Sequence, residues 1–166
     1  MRRLSLLLAT ASLATFVVAA PAAARQPGAT IVETAIAVNH ATGEFDELIA
    51  AVAQSGLVGT LIGGRQFTVF APTDAAFEDL YAALGVGGAD EIPPATLKAV
   101  LLHHVAPGER FSDAVLGSSR VRTLNRDFVR PSLRAGAAYV DDARILATDV
   151  DASNGVIHVI DKVLLP

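Results

Sequence analysis

Two apolar stretches dominate the pattern of hydrophobic and polar positions along the chain. In residues 67–77 (FTVFAPTDAAF), an apolar run is followed by Pro72, Thr73 and Asp74. Proline cannot donate to a strand ladder and disfavours helix at the preceding residue, whereas threonine and aspartate cap free N–H groups at a helix start. Residues 154–166 (NGVIHVIDKVLLP) contain a run that is apolar on both faces of a strand. We therefore predict a strand, a cap and a helix in the first stretch and a covered central strand in the second, and we expect the two to share a core.

Helical spacing of apolar residues marks the first two thirds of the chain. Thr30 and Glu33 have the spacing of a capping box and predict a first helix, which we expect to be followed by a loop over residues 39–43. From Phe45, apolar residues recur at i, i+3, i+4 and i+7, which predicts an amphipathic helix ending near Gly56. Further helices are predicted over residues 57–62, 73–85 and from Pro93-Pro94 to a stop at Pro107-Gly108. A single helical turn, capped by Ser112, is predicted over residues 113–116.

After Gly117 the pattern changes from helical spacing to short apolar runs. The last turn contains Asn154-Gly155, a pair that supplies the positive φ values of a tight hairpin. Helices early in the chain and strands late predict an α+β domain rather than alternating α/β. The predicted strands cover residues 67–70, 121–124, 128–133, 138–140, 144–147 and 156–160.

The composition limits the class of protein. With 166 residues the chain suits one domain, and its formal net charge of −4 disfavours general binding to nucleic acid or to anionic membranes. The sequence has no cysteine, which excludes disulfides, thiolate metal sites and a cysteine nucleophile.

The N-terminus has the organisation of a secretory signal peptide. Two arginines precede an apolar run over residues 4–20 and a small-residue site at residues 22–24. We expect cleavage after Ala24 and a secreted or periplasmic location. The alternative is an uncleaved anchor, because about 20 apolar residues can span a bilayer. The expected organisation is a signal peptide (1–24), a loose leader (25–29) and one domain (30–166).

His104 is the most informative polar residue, because helical spacing places it on the apolar face formed by Leu97, Val100 and Leu101. A buried histidine requires hydrogen-bond partners for its ring nitrogens. We predict a polar knot of Thr73, Asp74 and His104, in which His104 hydrogen-bonds to the Thr73–Asp74 corner. The alternative is a histidine that acts as a switch or contacts a ligand.

Five arginines fall within one predicted hairpin region, residues 120–134. They form either a solvated face that protects a sheet edge or a contact for an acidic polysaccharide or an acidic partner. We select Arg120, Arg122 and Arg130 as a candidate ligand surface. Acid pairs such as Asp141-Asp142 would permit carboxylate catalysis, but they lie in predicted turns, where acidic residues are favoured in any case.

The remaining polar residues do not indicate a metal, a cofactor or a catalytic centre. His103 and His104 lie about 100° apart on a helix and so do not converge on one ion. His40 and His158 are remote in sequence, and His158 is expected to be a satisfied residue of the sheet. The sequence also lacks the G-x-S-x-G, P-loop and G-x-G-x-x-G motifs.

Residues 67–77 and 154–166 together resemble the paired signature motifs of the fasciclin-like domain family, an extracellular adhesion module. The resemblance runs from about Thr30 to Pro166 and implies helices packed on a β-sandwich-like wedge of mostly antiparallel strands. In that family the helix matching Leu97–Val105 usually ends in Tyr-His. Here the pair is His103-His104, so His103 takes the place of the tyrosine and joins the candidate adhesion surface.

The resemblance implies a non-catalytic module that binds a surface or matrix protein or a glycan. Some proteins similar to this family bind carotenoids, so the alternative is a carrier of a hydrophobic small molecule such as a carotenoid or a lipid. Adhesion would depend on surface complementarity of loops and helix ends on a rigid scaffold. A coloured or lipid-bearing protein as purified would favour the carrier.

Overall fold

The computed structural model describes residues 28–166. Six α-helices and a 3₁₀ turn lie before residue 117, and most of the strands follow. The helices are α1 (Ile31–Thr42), α2 (Asp46–Gln54), α3 (Val58–Leu61), α4 (Asp74–Leu84), α5 (Pro94–His103) and α6 (Ser112–Leu116), with the 3₁₀ turn at Ala89–Glu91. The strands are β1 (Phe67–Pro72), β2 (Val105–Pro107), β3 (Val121–Arg122), β4 (Phe128–Val129), β5 (Pro131–Arg134), β6 (Ala137–Val140), β7 (Ala143–Ala152) and β8 (Gly155–Ile160).

The first helix begins where the sequence predicts it. Thr30 accepts a hydrogen bond from the backbone N–H of Glu33, and the Glu33 carboxylate accepts one from the Thr30 N–H at 2.7 Å, which completes the capping box. The predicted loop over residues 39–43 is wrong, because α1 continues to Thr42. It ends at Gly43, whose left-handed φ of 69° suits glycine.

The two apolar stretches form the centre of the main sheet. β1 and β8 pair in parallel over six residues, from Phe67 opposite Gly155 to Pro72 opposite Ile160. The strand order is β2-β1-β8-β7-β6-β5, and every other pair in it is antiparallel. Both central strands are buried along their whole length. The expected shared core and the α+β class are confirmed.

Each face of this sheet is covered by its own layer. One cluster of buried residues joins α1–α5 to one face, with Phe77 and Leu97 at its centre. A second cluster covers the opposite face and includes Phe70, Val121 and Ile160. The β3–β4 pair forms a separate two-stranded sheet that contributes to the second layer. The small sheet and the curled main sheet form the expected wedge.

Several predicted boundaries need correction. The chain after α5 forms the strand β2, paired with β1, rather than helix up to Pro107. The predicted strand over 128–133 is divided at Arg130 into β4 and β5, while β7 is longer than predicted because two register shifts let it bend along β8. Ser112 is the first residue of α6 rather than its cap.

The last hairpin also differs from the expectation. The predicted turn is Ser153-Asn154-Gly155, but Ala152 pairs with Gly155, so the loop has only the two residues Ser153 and Asn154 and Gly155 begins β8. Only Gly155 of the predicted pair has a positive φ, at 149°. A Cβ at Gly155 would lie 1.9 Å from the carbonyl oxygen of Phe67, so the close approach of β1 requires glycine here.

The signal peptide predicted over 1–24 lies outside the described residues. Within residues 28–166, no helix is long and apolar enough to cross a membrane.

Candidate functional site

The Thr73–Asp74 corner connects two helices. Thr73 caps α4 by accepting from the backbone N–H of Ala76 at 3.4 Å. The Asp74 carboxylate accepts from the backbone N–H groups of Asp46 and Glu47, at 3.2 and 2.9 Å. These two groups lie in the first turn of α2, whose own N-cap residue supplies no side-chain acceptor. Asp74 therefore caps α2 from outside it.

His104 lies apart from this corner in the hydrogen-bond network. Its Nδ1 lies 2.7 Å from the carbonyl oxygen of Val100, and its Nε2 accepts from the backbone N–H of Leu164 at 2.8 Å. The predicted hydrogen bond to Thr73 or Asp74 is wrong, because both ring nitrogens are occupied elsewhere. Full burial lowers the pKa of His104 to about 4, so the ring is neutral at physiological pH.

Sequence reasoning missed the role of Asn154. Its Oδ1 accepts from the backbone N–H of Ile31 at 2.7 Å, and its Nδ2 donates to the carbonyl oxygens of Leu61 and Gly63. The side chain thus joins the last hairpin to the start of α1 and the end of α3. The only signal in the sequence was the Asn-Gly pair, which indicated a turn rather than a side-chain anchor.

A surface pocket brings together three of the four residues predicted as a ligand surface. His103, Arg120 and Arg130 line a depression of about 320 Å³, which we call the His103 pocket. Arg122 is exposed but does not line it. The remaining lining residues are Asp127, Phe128, Asp141, Leu165 and Pro166.

His103 forms the floor of this pocket rather than an exposed surface. It is only 2 % exposed, which corrects the expectation that it presents itself to a partner directly. Its Nδ1 lies 3.3 Å from Oδ1 of Asn125 and 3.5 Å from Oγ1 of Thr123. The turn that carries these two residues is closed by hydrogen bonds between Thr123 and Asp127.

The hydrogen-bond directions in this turn define the role of Nδ1 of His103. The Asp127 N–H donates to Oδ1 of Asn125 at 3.1 Å, which identifies that atom as the amide oxygen. The Thr123 hydroxyl lies 2.6 Å from the same oxygen and 3.2 Å from the Asp127 carbonyl oxygen, and either of these acceptors can take its single proton. Because Oδ1 of Asn125 is an acceptor, Nδ1 of His103 is the donor in their 3.3 Å contact, and in the neutral tautomer with the proton on Nδ1 the other nitrogen, Nε2, is a hydrogen-bond acceptor.

The two arginines of the pocket are differently held. The guanidinium of Arg120 lies over the Phe128 ring, 4.5 Å from its centroid, in a cation–π contact. Arg130 is held through its backbone N–H, which donates to Oδ1 of Asp141 at 3.1 Å. Within residues 28–166, neither guanidinium forms a salt bridge. Both are available to an anionic ligand.

A second cavity lies between α1–α3 and the sheet. It has a volume of about 230 Å³, and its walls are apolar side chains such as Ile36, Val52 and Leu57. His104 is the one polar residue at its edge, and both ring nitrogens are already bonded. We call this cavity the apolar cleft.

His158 is a satisfied residue of the sheet. Its Nε2 lies 2.9 Å from the carbonyl oxygen of Arg110, and its Nδ1 accepts from the N–H of Asp149 at 3.3 Å. The Asp149 carboxylate accepts from the N–H and the hydroxyl of Ser112, both at 2.6 Å, and so caps α6. In the part of the chain from residue 28 onward, no group of three or more His, Asp or Glu side chains is arranged to hold a metal ion.

Comparisons with known proteins agree with the resemblance found in the sequence. The model of the Fasciclin domain family matches residues 43–166. Protein sll1483 of Synechocystis is 39% identical over 148 residues, which cover 87% of this chain and 77% of that protein. The transforming growth factor-beta-induced protein ig-h3 of Sus scrofa is 32% identical over 138 residues, which cover 80% of this chain but only 19% of that protein.

The fold has a solved counterpart. A FAS1 domain pair from the insect cell adhesion molecule fasciclin I superposes with a TM-score of 0.67 at 22% identity, covering 83% of this chain and 51% of that one. The sequence match and the shared fold lead to the same assignment. The chain belongs to the Fasciclin domain family.

Proposed function

We propose that the protein is a secreted or periplasmic binding module that acts without catalysis and attaches to a cell surface or matrix through the His103 pocket. The observation that carries the proposal is the convergence of His103, Arg120 and Arg130 in one depression. The two guanidiniums lie on turns and strand ends supported by a rigid sheet, which is where recognition residues are commonly placed. The partner is a surface or matrix protein or a glycan.

Membership of the family supports this function in general terms. The structural counterpart, fasciclin I, is a cell adhesion molecule. Fold alone does not define a ligand, so the proposal depends on the chemistry of the pocket. Unpaired guanidiniums form bidentate, charge-assisted hydrogen bonds with carboxylates, and these are stronger than neutral hydrogen bonds.

A retention assay on cells tests the proposal. Beads carrying the chain from residue 25 onward are mixed with cells of the source organism and with their extracellular polymer. Retention of the wild type and a loss of retention in R120Q/R130Q are expected. The matched control is R65Q/R144Q, which removes the same charge from two exposed arginines outside the pocket. Equal retention of the two double variants would contradict the proposal.

The apolar cleft favours a second candidate function, a carrier of a hydrophobic small molecule. Its volume of about 230 Å³ and its apolar walls would exclude water and accept a hydrocarbon group. Typical small-molecule sites measure roughly 300–1,000 Å³, so the cleft suits a short acyl chain better than a carotenoid. Native mass spectrometry with an absorption spectrum on protein purified from its source distinguishes the candidates. A bound apolar mass or a visible chromophore would support the carrier.

A further inference from the structure

We propose that the His103 pocket recognises a uronic acid unit of an acidic polysaccharide, an inference that rests on the binding function proposed above. The shared chemistry is a carboxylate next to several hydroxyl groups on one sugar ring. The carboxylate binds the guanidiniums of Arg120 and Arg130, and a hydroxyl donates to Nε2 of His103.

The positive groups of the pocket are free, whereas the negative groups are partly occupied. The Arg120 guanidinium lies over the Phe128 ring and forms no salt bridge with any residue that the structure describes. Asp127 uses Oδ1 to accept from the Phe128 N–H at 2.8 Å, and Asp141 uses Oδ1 to accept from the Arg130 N–H at 3.1 Å. Each carboxylate keeps one oxygen that can accept from a ligand hydroxyl.

This arrangement selects against other ligands. Two carboxylates beside two guanidiniums give the pocket no excess positive charge, so Asp127 and Asp141 disfavour a doubly charged group such as a phosphate monoester more than a singly charged carboxylate. A neutral sugar would leave the guanidiniums without a charged partner. A single carboxylate with hydroxyl donors matches both sets of groups.

The position of His103 adds a requirement for a hydroxyl group. Its Nδ1 donates to Oδ1 of Asn125, so in the neutral tautomer Nε2 is an acceptor that can take a hydrogen bond from a ligand hydroxyl. The side chains of Leu165 and Pro166 provide an apolar wall for the C–H groups of a sugar ring. The volume of about 320 Å³ gives room for one sugar unit of a chain that continues across the surface.

Titration with defined oligomers tests the inference. The probes are tetragalacturonate, its methyl ester and a short polyglutamate, followed by calorimetry and by amide NMR shifts. We expect tetragalacturonate to bind the wild type and R65Q/R144Q equally. The affinity of R120Q/R130Q should fall by about tenfold or more for each arginine, because the charge-assisted hydrogen bonds to the carboxylate are lost. The methyl ester, which keeps the hydroxyls, and polyglutamate, which keeps the carboxylates, should both bind more weakly.

His103→Phe tests the acceptor without relying on the arginines. This variant keeps the ring volume and removes Nε2, so it should weaken tetragalacturonate binding several-fold while polyglutamate binding stays unchanged. A circular dichroism spectrum like that of the wild type would show that the variant folds. If that variant does not fold, the amide shifts of residues 123–130 in the wild type test whether tetragalacturonate occupies the pocket, and unchanged shifts there would count against the inference.

Three outcomes would overturn the inference. They are the absence of tetragalacturonate binding, equal binding of polyglutamate, and equal affinity in R120Q/R130Q. The proposed function does not depend on these outcomes. If retention on cells requires the two arginines but tetragalacturonate does not compete with it, a different ligand occupies the same pocket. Absence of retention on cells would instead remove the proposed function.

Discussion

Replacing His104 by phenylalanine isolates the two hydrogen bonds made by its buried ring. The substitution keeps an aromatic ring of similar size but leaves the Val100 carbonyl and the Leu164 N–H without these partners. The Val100 carbonyl is one of the last carbonyls of α5, which lack partners within the helix. An unsatisfied buried backbone group costs roughly 1–3 kcal/mol, so the loss of partners for these two groups should lower the free energy of unfolding at neutral pH by about 2–6 kcal/mol.

The pKa of His104 adds a pH dependence that the variant lacks. The folded pKa is lowered from 6.5 to about 4, because burial disfavours the charged ring. Between these two values the unfolded chain binds a proton that the folded chain does not, so the stability of the wild type falls as the pH is lowered from 6.5 to 4. The loss is on the order of 3 kcal/mol, at about 1.4 kcal/mol per pH unit. The variant should therefore be much less stable than the wild type at neutral pH and nearly equal to it near pH 4.

Urea unfolding at a series of pH values measures both effects. His40→Gln is the control, because His40 is exposed and its loss should leave the curve parallel to that of the wild type. His104→Gln provides a second variant, since its amide oxygen can accept from the Leu164 N–H and should recover part of the stability. His158 also has a lowered pKa and contributes a residual slope in the same direction to every variant. Parallel curves for the wild type and His104→Phe would refute the reasoning.

Three further predictions concern residues that join separate segments. Asn154→Ala should lower the free energy of unfolding by roughly 2–4 kcal/mol, because the Ile31 N–H loses its acceptor and two carbonyls lose their donor. Asn154→Asp should recover only part of the lost stability. Gly155→Ala should destabilise the folded protein by more than about 3 kcal/mol, because the new Cβ would collide with the Phe67 carbonyl. A thermal midpoint within a degree or two of the wild type would show instead that β1 can move away. Asp74→Ala should cost roughly 1–2 kcal/mol and selectively increase hydrogen exchange in the first turn of α2, and unchanged exchange there would argue against capping from outside the helix.

The parts of the fold that follow local rules could be predicted from the sequence. The capping box at Thr30 and the cap at Thr73 are written in a few neighbouring residues and are present in the structure. The central position of β8 follows from a run that is apolar on both faces. The strand β2 has only three residues and is defined by its pairing with β1, so it left no periodic pattern to detect.

Hydrogen bonds between distant segments could not be predicted in the same way. His104 was correctly expected to be buried, but its partner Leu164 lies 60 residues away. Asp74 and Asp149 each cap a helix that begins elsewhere in the sequence. The arginines of the His103 pocket were visible as a cluster, whereas the turn that orients His103 was not, because its geometry depends on the tertiary contact between that turn and α5.

Hydrogen exchange of the chain, alone and attached to polymer from its source cells, tests the binding account most directly. The account predicts slower exchange over residues 120–130 and 139–142 on attachment, with little change over residues 31–62, which include most of the helical wall of the apolar cleft. R120Q/R130Q should lose this protection and R65Q/R144Q should keep it. Protection confined to residues 31–62, or equal protection in both double variants, would contradict attachment through the His103 pocket.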